Sequence, residues 1–196
     1  MEDDGITMHT QKGDFGYIGA YKKKRVLLAA ILGVMIACVV AGTIYMYGDT
    51  KHVIIVCAIL LVLPFAKQLI GLITVLPYSS IETETYNMLK ELIDADHPGL
   101  MFDLVLSRYE GMMFYPIVLV RNEKVYAYVR DKDFEEKKKT YQSWIEQTLK
   151  DSYDCPVKIL DSMDALIKKA NQPVSGDETV RKKDRYIKER LMASCV

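Results

Sequence analysis

The sequence has few of the side chains from which catalytic and metal sites are usually built. Its 196 residues include only 3 histidines and 4 cysteines. The chain contains no Cys-x-x-Cys pair, and His9, His52 and His97 lie far apart along it. Glycine-rich loops leading from a strand into a helix are also missing. The sequence therefore predicts no structural zinc, no nucleotide cradle and no bound cofactor.

Net charge is absent as well. The 26 basic and 26 acidic residues cancel, and this balance argues against a strong nucleic-acid binder. The charges are unevenly placed, because the stretch 26–77 contains only Asp49, Lys51 and Lys67. The chain therefore combines a strongly apolar part with a polar, water-soluble part.

Two long apolar runs predict a transmembrane hairpin. Residues 26–48 form 23 positions without a charge, which as a helix of 1.5 Å per residue reach about 34 Å. That length crosses a hydrocarbon core of about 30 Å. Residues 53–77 form a second run, and only four residues separate the two. A buried hairpin in a soluble core is disfavoured because the first run lacks a polar stripe. A cleaved signal peptide is disfavoured because the run is too long.

Basic residues beside the first run predict the orientation. Lys22, Lys23, Lys24 and Arg25 come directly before it, and such clusters stay on the cytoplasmic side. With two spans, both termini and the soluble part then face the cytoplasm, in what we take to be a plasma membrane. The cysteines need no disulfide partners in that reducing compartment.

The apolar runs contain two features that can be functional or merely structural: a stripe of small residues and a pair of polar residues. Ala29, Gly33, Ala37 and Ala41 recur every four residues and predict a stripe that lets another helix approach closely. We expect the second span to pack there, and self-association is the alternative. Lys67 and Gln68 interrupt the second run. A charge in a span suggests function, although Lys67 snorkelling toward the headgroups is favoured.

The soluble part predicts a small α+β domain with the order α-β-β-β-α-β-α. Ser79 and Glu82 have capping-box spacing before a first helix. Three runs rich in Val, Tyr and Phe follow and predict an antiparallel meander. Pro116, in the second run, indicates an edge position or a bulge, because proline donates no ladder hydrogen bond.

A helix of about 18 residues is expected from Asp133 and Glu136 onward, with Trp144 on its apolar face. A short strand and a final helix complete the domain. Asp94, Asp96 and His97 are interpreted as a polar loop rather than a cation site. The C-terminal helix has a thin apolar seam and is expected to attach loosely. The predicted parts are a flexible cytoplasmic segment 1–25, a transmembrane hairpin 26–78, a cytoplasmic α+β domain 79–172, and a linker with a charged C-terminal helix 173–196.

The domain order is similar to that of restriction-nuclease-like domains, but the residues of their metal site do not match. Such domains need an acid on the second strand and Glu-x-Lys or Asp-x-Lys on the third. Here Asp103 lies on the first strand, and Glu123 and Lys124 are adjacent in a turn. Shared topology does not establish a shared function.

The favoured function is therefore a membrane-anchored interaction or regulatory module without enzymatic activity. One alternative is a small subunit of a larger membrane complex. A second is a membrane-tethered hydrolase or nuclease with an unrecognised site. The expected partners are the lipid bilayer and another membrane or cytoplasmic protein, and self-association stays open.

Overall fold

Two long apolar helices and a small mixed sheet with four further helices make up the described part of the chain. The computed structural model describes residues 11–48, 54–92, 99–109, 111–131, 133–150, 155–173 and 177–195. These residues form two compact units. One unit is Ile18–Tyr78, and the other combines Met1–Tyr17 with Ser79–Val196.

The first unit contains the two apolar helices, α1 (Tyr17–Tyr47) and α2 (Ile54–Val75). Both are long and apolar enough to cross a membrane, with mean hydropathies of 2.6 and 2.2. Helix α1 begins well before the predicted start at residue 26, because the basic stretch ahead of the apolar run contains no proline and continues the helix. The intervening turn lies outside the described residues.

One set of half-buried and buried residues in α1 and α2 follows a seven-residue repeat. Their spacing alternates between three and four residues, which is the pattern of two helices packed along a common seam. These positions are Lys22, Arg25, Ala29, Leu32, Ile36, Val39 and Thr43 in α1, and Ala58, Leu61, Phe65, Gln68 and Leu72 in α2.

The second unit is built on a four-stranded sheet with the order β1-β2-β3-β4. The first three strands are an antiparallel meander, and the fourth runs parallel to the third. Asn122 and Glu123 form the turn between the second and third strands, and both have positive φ (50° and 59°), as the two central residues of a type I′ hairpin turn do. The strands are β1 (Leu100–Arg108), β2 (Gly111–Arg121), β3 (Lys124–Tyr128) and β4 (Val157–Leu160).

Helices cover both faces of this sheet. Helices α3 (Thr83–Leu92) and α5 (Met163–Ala170) pack on one face, here called the α5 face. Helices α4 (Phe134–Leu149) and α6 (Glu178–Ala193) pack on the opposite α6 face. The sheet is therefore apolar on both sides, which explains why β2 reads as a nearly continuous apolar run rather than an alternating one.

Strands β1 and β2 both change face at one matched irregularity. Phe102 and Ile117 pack in the α5 face. Leu104, two residues after Phe102, and Tyr115, two residues before Ile117, pack in the α6 face. Residues two apart in a regular strand share a face, so each strand turns over at the residue between. Those residues are Asp103, with φ of 52°, and Pro116. Pro116 thus marks a local irregularity, although β2 is an inner strand.

The buried side chain of Asp103 is held by the segment before α3. Ser80 donates its hydroxyl hydrogen to Asp103 Oδ2 at 2.5 Å. The spacing of Ser79 and Glu82 predicted Ser79 as the cap residue, but helix α3 begins at Thr83, so both residues lie ahead of the helix. The polar residues of this segment therefore bind the strand as well as leading into the helix.

Helix α6 docks firmly on the sheet, unlike the loosely attached helix that its thin seam suggested. Ile187 and Leu191 are fully buried in the α6 face. The Asp184 carboxylate accepts the backbone N–H groups of Asn122 and Glu123 at 2.9 and 2.8 Å. The thin seam of Ile187 and Leu191 is therefore supplemented by Asp184, which attaches the same helix to the β2–β3 turn.

Residues from two segments, one before the hairpin and one after α6, cover the outer edge of β1. The Phe102 amide donates to the Gly13 carbonyl at 2.8 Å, and Leu106 forms a bridge with Cys195. Phe15 also stacks on Tyr86, with ring centres 4.1 Å apart. Residues 11–17 of the segment expected to be flexible are therefore packed on the domain, because an edge strand exposes backbone groups that they can pair.

Asp131, rather than Asp133, anchors the start of α4. Asp133 occupies the cap position but its side chain accepts no capping hydrogen bond. Asp131 accepts from the Asp133 amide at 3.1 Å, the Tyr141 hydroxyl at 2.8 Å and the Lys137 ammonium at 3.1 Å. These hydrogen bonds, with the backbone amide contributing most, lower the pKa of Asp131 to about 2.

Docking of α6 predicts the effect of Ile187→Ala. Truncating this fully buried side chain should lower the free energy of unfolding by about 2–5 kcal/mol. Urea unfolding of the full chain in detergent, followed by fluorescence of Trp144, its only tryptophan, measures this change. Lys182→Ala, at an exposed position of the same helix, is the matched control. A parent-like midpoint for Ile187→Ala would contradict the docking.

The lowered pKa of Asp131 predicts a dependence of stability on pH. An unfolded aspartate has a pKa of about 3.9, so the contribution of this carboxylate is present above about pH 4 and lost as the pH falls toward 2. Asp131→Asn should therefore lower the free energy of unfolding by about 1 kcal/mol at pH 7. Its difference from the parent should shrink between pH 4 and 2.

Asp133→Asn is the control for this prediction, since Asp133 is largely exposed. It should leave most of the parent's pH dependence intact. An Asp131→Asn variant that keeps the full acid dependence of the parent would show that other carboxylates are responsible.

Candidate functional site

Two of the basic residues predicted to flank the membrane connect α1 to α2. The Lys22 ammonium donates to the carbonyls of Leu76 and Tyr78 at 2.9 and 2.5 Å. Carbonyls at a helix C-terminus have no partner within the helix and carry partial negative charge, so a cation there is favourable. Lys23 and Lys24 are exposed. The Lys22–Arg25 stretch therefore has residues that contact α2 as well as exposed residues.

Arg25 is the hydrogen-bond partner of Gln68, one of the two polar residues in the second apolar run. Its Nη1 donates to Gln68 Oε1 at 2.8 Å, and its guanidinium lies 4.8 Å from the centre of the Tyr21 ring. Gly71 leaves room for this side chain, since a Cβ there would lie 2.7 Å from Arg25 Nη1. Lys67 is exposed on the surface of α2. Lys67 and Gln68, which the sequence analysis grouped together, therefore differ: Gln68 contacts α1 and Lys67 is exposed.

The small-residue stripe divides in the same way. Ala29 is buried, and a Cβ on Gly33 would lie 3.6 Å from the Phe65 ring, so both positions face α2. Ala37 and Ala41 are exposed. A repeat of four residues advances about 40° beyond a full turn of a helix with 3.6 residues per turn. The stripe therefore drifts away from the seam, which follows a 3.5-residue average.

A group of basic side chains marks one end of the sheet on the α5 face. Lys124 lies directly opposite Arg121, and Lys158 lies directly opposite Tyr126. The Lys169 ammonium, from α5, lies 5.9 Å from the centre of the Tyr126 ring. Directly opposite residues share a face. We call Arg121, Lys124, Lys158 and Lys169, gathered around Tyr126, the basic cluster.

Arg121 differs from the other members because it is buried. Only 6% of its surface is exposed, and Nε and Nη1 are buried without a hydrogen-bond partner. Burial lowers the pKa of this guanidinium, while the nearby Asp184 and Tyr126 raise it. An arginine still stays protonated at neutral pH, so the end of β2 carries a buried positive charge.

The acids beside this charge have other contacts. Both Asp184 oxygens accept backbone amides of the β2–β3 turn, and Glu123 Oε1 accepts from the Lys183 ammonium at 2.9 Å. Burial raises the pKa of Tyr126, so its phenol stays protonated at neutral pH. The cluster therefore presents positive charge and neutral donors, which suits an anion.

The sequence did not reveal this cluster. Arg121 reads as the charge that ends an apolar strand, and Lys158 and Lys169 read as ordinary surface lysines. Only the pairing of β3 with both β2 and β4 brings them together, and a parallel pairing between β3 and β4 has no local sequence signal.

The described residues contain no candidate metal site. Those residues contain no group of three or more His, Cys, Asp and Glu side chains placed to hold a metal ion. Asp94, Asp96 and His97 lie outside the described residues. Comparison of the chain with protein-family models, curated proteins and solved structures finds no match.

The seam between α1 and α2 predicts different effects for two substitutions within the stripe. Gly33→Leu should separate the helices because it adds bulk against Phe65, whereas Ala41→Leu should be tolerated. Cys38 and Cys57 are exposed, one on each helix, and Cys155 and Cys195 are buried. Spin labels on the two exposed cysteines would report the distance between the helices without engineered sites.

The expected result is a longer or broader label-to-label distance for Gly33→Leu and a parent-like distance for Ala41→Leu. Broadening in Ala41→Leu alone would place the contact on the Ala41 side of α1, about 80° around the helix from Gly33.

Proposed function

We propose that this protein is a membrane-anchored interaction module, in which a two-span hairpin holds a cytoplasmic α+β domain at a membrane. The domain presents a surface to a partner rather than carrying out a reaction. The function rests chiefly on one observation, the insertion of the apolar hairpin between two chain segments that fold together as one unit.

The exposure of the apolar helices supports the membrane part of the proposal. Within the most apolar 18-residue windows of α1 and α2, only 11% and 6% of the residues are buried. Exposed side chains include Val34, Leu63 and Ile70. The core helix of a soluble protein buries such residues, and an apolar surface of this extent in water favours association or insertion. A bilayer satisfies it directly.

The connectivity supports the proposed topology. The chain leaves the domain after Tyr17 and re-enters it at Ser79. A domain that uses both flanks of the hairpin can form only where both flanks lie on one side of the membrane. An even number of spans meets that condition, and the Lys22–Arg25 stretch favours the cytoplasmic side.

A subunit of a larger membrane complex is a second candidate, favoured by the exposure of Ala37 and Ala41. Small exposed residues on a spanning helix permit close approach of another helix. The two candidates are compatible, because one assigns the partner to the domain and the other to the hairpin. Cross-linking in native membranes with reagents at Ala41 or at Glu146 distinguishes them by which site captures a protein.

The proposed topology predicts the labelling of engineered cysteines in intact cells. A membrane-impermeant thiol reagent should label Thr50→Cys from outside and should not label Glu146→Cys until the membrane is opened. Cys38 and Cys57 are first replaced by serine, because both are exposed on the hairpin. Glu146 is used because it is exposed, whereas Cys155 is buried and would escape labelling on either side.

The reverse pattern, with Glu146→Cys labelled in intact cells, would place the domain outside. Labelling of both sites in intact cells would show that the hairpin does not span the membrane.

A further inference from the structure

The guanidinium of Arg121 is a buried charged group in the described part of the domain. Its Nε and Nη1 are buried, and neither has a hydrogen-bond partner. Leaving a buried charged donor without an acceptor is more costly than leaving a neutral one. Such a group is expected where a ligand completes the hydrogen bonding, and its surroundings indicate which ligand.

Those surroundings are positive. Lys124, Lys158 and Lys169 lie on the same face of the sheet as Arg121, around Tyr126. Lys124 and Lys158 are exposed, and Lys169 is half-buried, so the cluster runs from a buried charge to the solvent. Asp184 and Glu123 are already engaged by the β2–β3 turn and by Lys183.

From this arrangement we propose that the basic cluster binds a phosphoryl group, with Arg121 as the buried anchor and Lys124, Lys158 and Lys169 as its charged rim. Arginine and lysine together suit a tetrahedral oxyanion carrying more than one negative charge. A single carboxylate would leave most of the rim charge unmatched. The phosphoryl group can belong to a soluble phosphate or to a lipid headgroup.

This inference stands apart from the proposed topology, because it concerns only residues of the domain. A failure of the labelling experiment would leave it unchanged, and its own failure would leave the topology unchanged.

Calorimetry on the full chain in a neutral detergent tests the proposal with three probes at constant ionic strength. These are inorganic phosphate, dihexanoyl phosphatidic acid and dihexanoyl phosphatidylcholine. We expect saturable binding of phosphate and of phosphatidic acid, and none of phosphatidylcholine. Tighter binding of phosphatidic acid than of phosphate would assign the site to a lipid headgroup, and the opposite order to a soluble ligand.

Exposed rim variants keep the test independent of folding. Lys124→Ala and Lys158→Ala should each raise the dissociation constant at least about threefold, as loss of a single surface charge contact implies. Lys182→Ala, which removes an equally exposed charge from α6, should leave binding unchanged. Equal weakening by all three variants would mean general charge attraction and would overturn the proposal.

Arg121→Met provides a second readout. If Arg121 awaits a ligand, this apolar replacement should leave the unfolding midpoint in urea unchanged or raise it, and should abolish stabilisation by phosphate. If the chain itself satisfies Arg121, the variant should unfold much more readily. That result, or the absence of saturable binding to both phosphoryl probes, would overturn the proposal.

Discussion

The hydrogen bond from the Phe102 amide to the Gly13 carbonyl joins two parts of the chain that the apolar hairpin separates. The domain depends on this pairing because β1 is an edge strand, and its outer backbone groups need partners. The N-terminal segment covers one part of that edge and the C-terminal residues cover another. Lys12 also donates to the Cys195 carbonyl, so the two covering segments contact each other. The edge of the domain is therefore closed by one segment from before the hairpin and one from after it.

The matched irregularity at Asp103 and Pro116 determines how β1 and β2 pack inside the sheet. By turning over in register, β1 and β2 supply apolar residues to both faces from a single pair of strands. In a regular pair of strands, side chains would also alternate between the two faces, but Leu104 and Tyr115 would then lie on the α5 face. Tyr115 instead donates its hydroxyl to the Tyr141 carbonyl at 2.8 Å and is fully buried, and this burial raises the pKa of its phenol. The irregularity thus decides which helix the longest strand packs against.

The sequence predicted the features that depend on local pattern. The long apolar runs and the apolar strands were recognisable from periodicity, and the presence of two apolar helices and a small mixed sheet with helices is confirmed. Features set by long-range pairing were not recognisable. The docking of α6 depends on Asp184 meeting a turn sixty residues earlier, and the role of Asp131 depends on Tyr141. The strand residues of the basic cluster lie next to one another only when β2, β3 and β4 are paired in register.

The discontinuous domain also constrains the order of events during synthesis. Residues 11–17 are made before the hairpin, whereas β1, which they cover, is made after it. At about 5–20 residues per second, roughly 4 to 18 seconds separate Gly13 from Phe102 on the ribosome. During that interval α1 and α2 emerge. In the proposed topology, residues 11–17 therefore have to stay on the side of the membrane where the domain will fold. A segment carried across with α1 would leave the edge of β1 uncovered, and an uncovered edge strand is prone to aggregation.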